Sequence, residues 1–318
     1  MADSFYLFGY RDFSFDTMTG VVKPITIEKE FEKNPDISPD DIKKLREWLK
    51  TQPHLPGEHL TDVDLLVVYH CCDKSQEVSK QVLDLHFTLR TMFTQFFKDR
   101  CFDKKAEFTL NTVLCAPLPT PTLQGHRAAY FRLLDPDPRN FNLTEVARAA
   151  MMVLDLWQYE EGTFTGFVII IDMDQSVLSH VTRLDLMIVK KVLYFLQECM
   201  FTKIAGIHFM NAPNFVEKLM MLLKPFLTKK LIDMIHIHQT GSTTLYNTIP
   251  KDALPKEEGG KYKDHVTLRD EVIQRLQANS AFIKTDNKRR VNESLRPGPC
   301  PVAEEFGMQG SFKTLDID

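Results

Sequence analysis

The sequence predicts an α/β protein in which a small helical domain precedes an open sheet flanked by helices. Three observations support this. Between residues 38 and 98 the apolar residues recur at helical spacing. From residue 128 onward, short apolar runs rich in β-branched residues alternate with helical segments. An amphipathic stretch, residues 214–227, directly follows one of these runs, and we call it the lid segment. The predicted architecture is thus a sheet with an amphipathic helix over an apolar pocket.

The first domain is predicted to span residues 38–105, after a leader of residues 1–37 that shows no clear periodicity. Ser38 and Pro39, followed by two aspartates, form a strong helix start, because serine caps the helix and acids favour its positive end. Further helices are predicted over 61–72 and 75–98. Apolar residues at every third or fourth position in the last of these predict a packed helical unit.

The second domain is predicted to span residues 106–264. Its proline-rich run 115–122 is interpreted as a loop or extended connector. Strands are predicted over 128–134, 165–172, 204–210 and 234–238, with helices over 144–160, capped by Thr144, and 184–200. Because helices separate most of these strands, the sheet is expected to contain parallel members.

The lid segment is predicted to be an amphipathic helix and a movable cover. At 100° per residue one broad arc is apolar; it contains Phe215, Val216, Leu219, Met220, Leu222, Leu223, Phe226 and Leu227. Met221 lies on the polar side, where an apolar side chain gains nothing in water. Pro225 interrupts the helical pattern, and Thr228 is placed to cap a separate turn.

The last part of the chain, residues 265–318, is predicted to hold one amphipathic helix over 267–283 and a mobile tail from residue 285. Charged and Pro-Gly-rich stretches in this tail favour that interpretation.

Composition and charge exclude several function classes. The net charge of −4 gives no case for nucleic acid as a partner. Seven lysines and two glutamates lie between residues 186 and 232, which suggests an anionic surface partner for this region. Six cysteines without CxxC spacing, no evident signal peptide and no membrane-length apolar run lead us to expect a cytoplasmic protein.

Two motifs suggest enzymatic or metal-binding chemistry. Asp172 and Asp174 follow an apolar strand and match the start of the aspartyl-phosphate phosphatase motif, so such a phosphatase is a remote alternative. His208, His236 and His238 suggest a three-histidine metal site, although histidines at strand ends more commonly satisfy backbone partners. No nucleophile elbow or phosphate-binding loop is present in the sequence. We therefore expect no enzyme activity, no cofactor and no metal.

An ordered set of motifs closely resembles the CRAL-TRIO lipid-binding family, in the branch of α-tocopherol transfer protein and cellular retinaldehyde-binding protein. The set covers roughly residues 38–284 and consists of DLHFTLRTMFTQFF, FVIIIDMD, GIHFMNAP, LLKPFLTKKL, IHIH and LPKEEGG. The resemblance implies the two-domain fold, with residues 38–105 as the N-terminal helical module. It also implies that residues 106–264 bind a small hydrophobic molecule.

The resemblance also implies the site residues. The pocket would be formed by Phe167, Ile169, Ile171, Val192, Phe195, Leu196, Ile207, Phe209, Phe215, Leu219, Met220, Leu223 and Leu227. Lys203 and Lys230 match a basic patch that contacts phosphatidylinositol bisphosphates in the family. Two arginines of that patch are Ala205 and Met234 here, and Lys224 and Lys229 are candidates to compensate.

The function implied is transfer of a hydrophobic ligand such as a tocopherol, retinoid or carotenoid between membranes. The lid segment would open at anionic bilayers, with phosphoinositides among the candidate lipids and with transient membrane association. A phosphoinositide-sensing scaffold without transfer activity is the alternative.

Overall fold

The N-terminal part of the chain is helical, as the sequence predicts. The computed structural model describes residues 20–302 together with 305 and 306; the remaining parts of the predicted leader and tail lie outside the described residues. Helices α1 to α5 span Ile27–Lys33, Pro39–Lys50, Asp62–Cys71, Gln76–Met92 and Thr94–Phe97. Ser38 caps α2, as expected from the sequence, and the structure adds a reciprocal capping box with Asp41.

Two expectations for this region are wrong. The predicted helix over 75–98 is two helices, because the backbone of Phe93 leaves the helical region (φ −82°, ψ 63°) and separates α4 from α5. The predicted leader contains α1, which Thr26 caps. Lys33 of α1 donates hydrogen bonds to the backbone carbonyls of Glu161 (2.6 Å) and Thr163 (2.9 Å), so this helix is attached to the second domain.

A five-stranded sheet forms the centre of the second domain, with the strands in sequence order β1–β5. They span Val113–Pro117, Arg127–Leu133, Phe167–Asp172, Ile204–Ala212 and Ile235–Gln239. β1 pairs antiparallel with β2, and the other neighbours are parallel. β1 is an edge strand because it pairs only with β2. The run predicted as a loop or connector therefore starts within an edge strand, where a proline such as Pro117 is tolerated.

Helices cover both faces of this sheet. They are α6 (Lys104–Thr112), α7 (Leu143–Glu161), α8 (Leu178–Thr182), α9 (Leu186–Glu198), α10 (Val216–Leu223), α11 (Lys229–Ile232), α12 (His265–Ala278) and α13 (Ser280–Asp286). The side chains of β3 alternate between the two faces. Val168 and Ile170 pack in the cluster that contains Leu268 and Val272 of α12, whereas Phe167 and Ile169 belong to a separate cluster with α10.

The helix boundaries near the sheet differ from prediction in two places. Asn142 caps α7 by accepting from the backbone N–H groups of Thr144 and Glu145, so Thr144 lies inside the helix rather than capping it. The helix predicted over 267–283 is divided at Asn279. Its side chain accepts from Val22 N and donates to the carbonyls of Gly20 and Arg275, which ties the helix break to the start of the described chain.

The first part of the predicted tail packs on the N-terminal helices. Arg289 pairs with Asp64 (2.9 Å) and Arg296 with Asp84 (2.7 Å). Val302 is buried beside the same helices. These contacts were not expected, because the acidic partners lie more than 200 residues away in the sequence.

Buried charges join the helical domain to the second domain. Arg90 of α4 and Arg100 both contact Asp155 of α7, at 3.0 and 2.7 Å, and both also pair with Asp286 of α13. Burial of such groups is tolerated only when they are paired, and here two cations face two anions. This network holds the helical domain against α7, a helix that also borders the apolar cavity of the second domain.

Candidate ligand cavity

An apolar cavity of about 350 Å³ lies between one face of the sheet and the helices that cover it. This volume is within the range of about 300–1,000 Å³ typical of ligand pockets. Phe167, Ile169 and Ile171 of β3 form the floor, with Ile207 and Phe209 of β4 beside them. These residues share a face because alternate side chains of a strand point to the same side.

Eleven of the thirteen pocket residues expected from the sequence lie in the wall of this cavity. They are Phe167, Ile169, Ile171, Val192, Leu196, Ile207, Phe209, Phe215, Leu219, Leu223 and Leu227. The lid segment thus contributes four side chains to the cavity, and α9 contributes two of the expected ones.

Phe195 and Met220 are not among the lining residues. Phe195 points away from the cavity, into the cluster between α9 and the N-terminal helices, where its ring centroid lies 5.0 Å from that of Phe97. Val192 and Leu196 are on the cavity side of the same helix. Met220 is half-buried against the same apolar cluster as Phe215 but does not reach the cavity wall.

A further wall was not expected from the sequence. It comes from α7 and β2 and contains Ala129, Phe131, Val146, Ala147, Ala150, Met151, Val153, Leu154 and Trp157. The signal was present, because the apolar face of α7 is evident in the sequence. The missing information was which side of the sheet that face covers, and a helical pattern does not contain it.

The lid segment is broken where the sequence suggested. α10 ends at Leu223, and a 3₁₀ turn follows over Lys224–Phe226, containing Pro225. Thr228 then caps α11 by accepting a hydrogen bond from Leu231 N (3.3 Å). Met221 is 72% exposed, so the lid presents an apolar side chain to its outer surface.

Gln197 of α9 holds this broken region in place. Its side-chain amide donates to the carbonyl of Phe226 (3.0 Å), and its oxygen accepts from the backbone N–H of Thr228 (2.7 Å). One side chain therefore bonds to the last residue of the turn that follows α10 and to the residue that caps α11. Two hydrogen bonds at the surface are a weak attachment, of the kind a moving segment can break.

Four polar side chains also line the cavity: Arg132, Asp172, Ser176 and His180. Arg132 donates to Asp172 (2.5 Å) and Glu258 (2.7 Å) through one nitrogen and to Asp174 (2.5 Å) through another. One cation is thus shared by three carboxylates at the carboxyl ends of the strands.

Burial and the neighbouring charge of Asp172 raise the pKa of Glu258 to about 7, although Arg132 opposes the shift. Burial also raises the pKa of Tyr130, whose hydroxyl donates to Asp172 (2.6 Å). For Asp172 itself burial favours a higher pKa, but hydrogen bonds from Tyr130, the backbone and Asn211 together with Arg132 hold the pKa below its usual range.

The phosphatase alternative finds no support in this geometry. Asp172 accepts from Tyr130 and Arg132 on one oxygen, and from Asn211 (2.9 Å) and the Asp174 backbone N–H (2.9 Å) on the other. The carboxylate is buried and fully hydrogen-bonded, so its oxygens hold the strand ends together instead of facing a substrate.

The histidines lie on the opposite face of the sheet from the cavity floor. His208 Nδ1 and His238 Nε2 are 2.9 Å apart, and His238 Nδ1 lies 2.7 Å from the hydroxyl of Thr244. Burial and the neighbouring histidines lower the pKa of His208 to about 4, and burial lowers the pKa of His238. These rings therefore bond to each other, and within the described residues no group of three or more potential ligands is arranged to hold a metal ion.

The predicted basic residues have different surroundings. Lys203 is paired with Asp73, in the turn between α3 and α4, so it joins the two domains. Lys224, Lys229 and Lys230 are exposed at the end of the lid segment and in α11. In the described part of the chain no helix has the length and apolar character required to cross a bilayer.

The fold and this site define a class of protein, α/β domains with an apolar cavity between the sheet and its covering helices. Residues 111–260 match the CRAL/TRIO domain model, and residues 34–106 match that of the Pinta-like UBA domain. Residues 111–260 thus form a CRAL/TRIO domain, and the CRAL/TRIO family binds and transfers small lipophilic ligands.

Named relatives agree with this assignment. Clavesin-1 of Mus musculus is 27% identical over 244 residues, which cover 75% of this chain and 69% of that protein. Alpha-tocopherol transfer protein-like of Mus musculus is 26% identical over 236 residues, covering 73% and 68%. Among solved structures, that of Sfh5 covers 73% of this chain and 92% of its own with 13% identity and a TM-score of 0.43, a likeness too distant to carry an argument.

Proposed function

We propose that this chain carries one small lipophilic molecule in the cavity and transfers it between membranes. The observation that supports this most strongly is the apolar cavity of about 350 Å³ beneath the lid segment. Burying about 400 Å² of ligand surface at ~25 cal/mol/Å² gives a gross gain of roughly 10 kcal/mol. Ordering costs reduce this, which leaves an affinity in the micromolar to nanomolar range.

Release from such a site requires the lid segment to move. Phe215, Leu219 and Leu223 lie between the cavity and solvent, and opening the lid in water would expose them. At a bilayer surface the same side chains meet acyl chains instead. Membrane contact therefore shifts the population towards the open state, because only the open state gains this burial.

The outer surface around the cavity supports docking on an anionic membrane. Exposed apolar side chains occur on the elements that border the cavity: Val177, Leu178, Leu186, Met187 and Met221. Exposed lysines at 218, 224, 229 and 230 lie within and just after the lid segment. Lysine attraction to anionic lipid is worth about 1 kcal/mol per residue near the surface.

A transfer assay between vesicles tests the proposal. Donor vesicles contain a fluorescent retinoid or tocopherol analogue and a quencher, and acceptor vesicles contain phosphatidylserine; catalytic amounts of the protein should speed the recovery of fluorescence. Binding to acceptor vesicles without any transfer would contradict the carrier, and binding that requires added phosphatidylinositol bisphosphate would favour the phosphoinositide-sensing scaffold.

Charge reversal on α11 tests whether transfer depends on electrostatic attraction to the anionic membrane. Lys229→Glu with Lys230→Glu should slow transfer to anionic acceptors about tenfold or more, while binding of the analogue in solution stays unchanged. The matched control is Lys43→Glu with Lys44→Glu on α2, which changes the net charge equally but lies on the other domain. Equal slowing by both pairs would contradict a specific docking surface at α11.

A further inference from the structure

Two adjacent cysteines bring their thiol groups together at the end of α3. The sulfur atoms of Cys71 and Cys72 are 3.9 Å apart. Adjacent residues within a helix do not face each other, so this approach requires the chain to leave the helix. It does so here, because Cys71 is the last residue of α3 and Cys72 is its C-cap, with a non-helical backbone (φ −94°, ψ 27°). Both thiols are free, and they are therefore placed to react with each other.

The pair lies at the edge of the apolar cluster formed by the N-terminal helices. Cys72 is 7% exposed and belongs to this cluster together with Tyr69, whereas Cys71 is half-buried and packs against it. Packing from one side holds the two side chains in place and leaves Cys71 partly in contact with solvent. A molecule as small as hydrogen peroxide can therefore approach the pair.

The two thiols differ in acidity, and this difference gives them different roles. A hydrogen bond from the Cys71 thiol lowers the pKa of Cys72, against the opposing effect of burial. The same contact, together with burial, raises the pKa of Cys71. The thiolate is the nucleophile in thiol oxidation, and a neighbouring thiol resolves the first product. Cys72 thus corresponds to the attacking sulfur and Cys71 to the resolving sulfur.

The turn that follows the pair contacts two other parts of the chain. Asp73 pairs with Lys203 of the second domain, and Lys74 pairs with Asp36 in the segment between α1 and α2. Both turn residues have a left-handed backbone (φ 52° and 60°), which is uncommon for residues other than glycine. The backbone N–H of Lys74 donates to the carbonyl of Tyr69 (2.9 Å). A backbone change directly before this turn therefore reaches a contact between the two domains.

A disulfide between adjacent residues requires such a backbone change. Consecutive Cα atoms are about 3.8 Å apart across a trans peptide, which is below the roughly 4.4–6.8 Å usual for a disulfide. The bond closes a ring that contains the peptide between the two residues, so the backbone around this peptide must rotate. Departure from the preferred geometry also makes a disulfide easier to reduce, and the product is therefore reversible.

We propose that Cys71 and Cys72 form a site of reversible oxidation by a peroxide, and that their disulfide moves the turn that holds Asp73 against Lys203. Neither cysteine lines the ligand cavity, so this inference does not depend on the proposed function.

The oxidation takes place in two balanced steps. The Cys72 thiolate attacks one oxygen of hydrogen peroxide; an S–O bond forms, the O–O bond breaks, and the departing hydroxide takes up a proton to become water. Cys71 then attacks the sulfur of the resulting sulfenic acid; an S–S bond forms, the S–O bond breaks, and the hydroxide leaves as water with the proton of Cys71. In total the two thiols lose two electrons and two protons, and one peroxide becomes two waters.

Thiol counting and peptide mass spectrometry test the site on the full chain. The reduced protein is treated with increasing amounts of hydrogen peroxide and then unfolded, and its remaining thiols are alkylated before digestion. The number of free thiols per chain should fall from six to four, with one peroxide consumed per chain. The peptide that contains both cysteines should be lighter by two hydrogen atoms. Glutathione or dithiothreitol should restore both thiols.

Three serine substitutions form a matched set. Cys71→Ser keeps the attacking thiol without its resolving partner, so Cys72 should stop at a sulfenic acid that dimedone labels. Cys72→Ser removes the attacking thiol, and Cys71 should stay reduced at the same peroxide dose. Cys101→Ser is the control, because Cys101 is exposed but partial burial and the charge of Asp103 raise its pKa. Disulfide formation between the adjacent cysteines should be unchanged in this variant.

Hydrogen exchange measures whether the turn moves. The backbone N–H groups of residues 73–75 are hydrogen-bonded to the carbonyls of residues 70, 69 and 72, so they report on this turn. Their exchange should be faster in the oxidised wild type by roughly two- to twelvefold, the factor that corresponds to one lost hydrogen bond. Peroxide-treated Cys71→Ser should show no such change, because it forms no disulfide.

Four outcomes would overturn the inference. Sulfinic acid at either cysteine of the wild type, without the disulfide, would show that Cys71 does not resolve the first product. Oxidation of Cys101 before the adjacent pair would show that the pair is not the reactive site. Absence of the dimedone label in Cys71→Ser would refute Cys72 as the attacking thiol. Complete disulfide formation with unchanged exchange at residues 73–75 would separate the oxidation from the contact between the domains.

Discussion

Filling the cavity with an indole ring is expected to abolish ligand binding without unfolding the protein. Val192 lies on α9 in the cavity wall, so Val192→Trp places the new ring where the ligand would lie. A buried tryptophan covers about 150–250 Å². At ~25 cal/mol/Å² this removes roughly 4–6 kcal/mol from the gross gain of ligand burial. Because about 1.4 kcal/mol corresponds to a factor of ten, affinity should fall about 10³- to 10⁴-fold.

The assay is titration of a fluorescent retinoid or of N-phenyl-1-naphthylamine, with circular dichroism and thermal unfolding to show that the fold is kept. Val78→Trp is the matched control, because Val78 is 43% exposed on α4, outside the cavity wall. It should bind like the wild type. Affinity of Val192→Trp within threefold of the wild type would show that the ligand does not occupy this cavity.

Three further predictions follow from single contacts. Gln197→Ala removes the hydrogen bonds to Phe226 and Thr228 at the end of the lid segment. Release of a bound analogue in stopped-flow dilution should become faster, with little change in thermal stability. An unchanged release rate would show that Gln197 does not restrain the lid. Asp286→Ala leaves Arg90 and Arg100 with one carboxylate between them. The free energy of unfolding in urea titrations should fall by about 3–5 kcal/mol. A change below about 1 kcal/mol would contradict the buried network. Because the pKa of Glu258 is raised from 4.5 to about 7, the folded state holds a proton that the unfolded state has already released, and stability should fall as pH rises through this window. The loss is about 3 kcal/mol from 1.36 kcal/mol per pKa unit, and Glu258→Gln should flatten it; an equal slope in the variant would refute the assignment.

Local patterns in the sequence were sufficient for much of the fold. The cap at Ser38, the helix break at Pro225 and the cap at Thr228 are all local chemistry, and each is present in the structure. These features depend on residues within a few positions of each other, so a sequence reader can recognise them.

The remaining features depend on long-range partners. Phe195 was expected in the pocket from the resemblance to the family, but it contacts the apolar surface of the N-terminal helices instead. Lys203 was expected to be free for lipid, yet Asp73 of the other domain pairs with it. Neither partner is visible from the neighbouring sequence.

The sequence analysis also did not predict that polar side chains line part of the cavity. His180 lies in the five-residue helix α8, which the apolar pattern did not reveal, and Val177 is the residue that precedes this helix. The walls formed by β3, α9 and the lid segment were expected from the resemblance to the family, whereas the wall formed by α7 and β2 was not expected.

The most direct test of the account is to extract and identify by mass spectrometry the lipophilic molecules that copurify with the full chain from its native tissue. The account predicts a single lipophilic molecule bound per chain in the wild type, and its loss in Val192→Trp but not in Val78→Trp. Equal amounts of the same lipid in all three proteins, or no lipophile in the wild type even after incubation with the tissue lipids, would contradict a ligand held in the cavity.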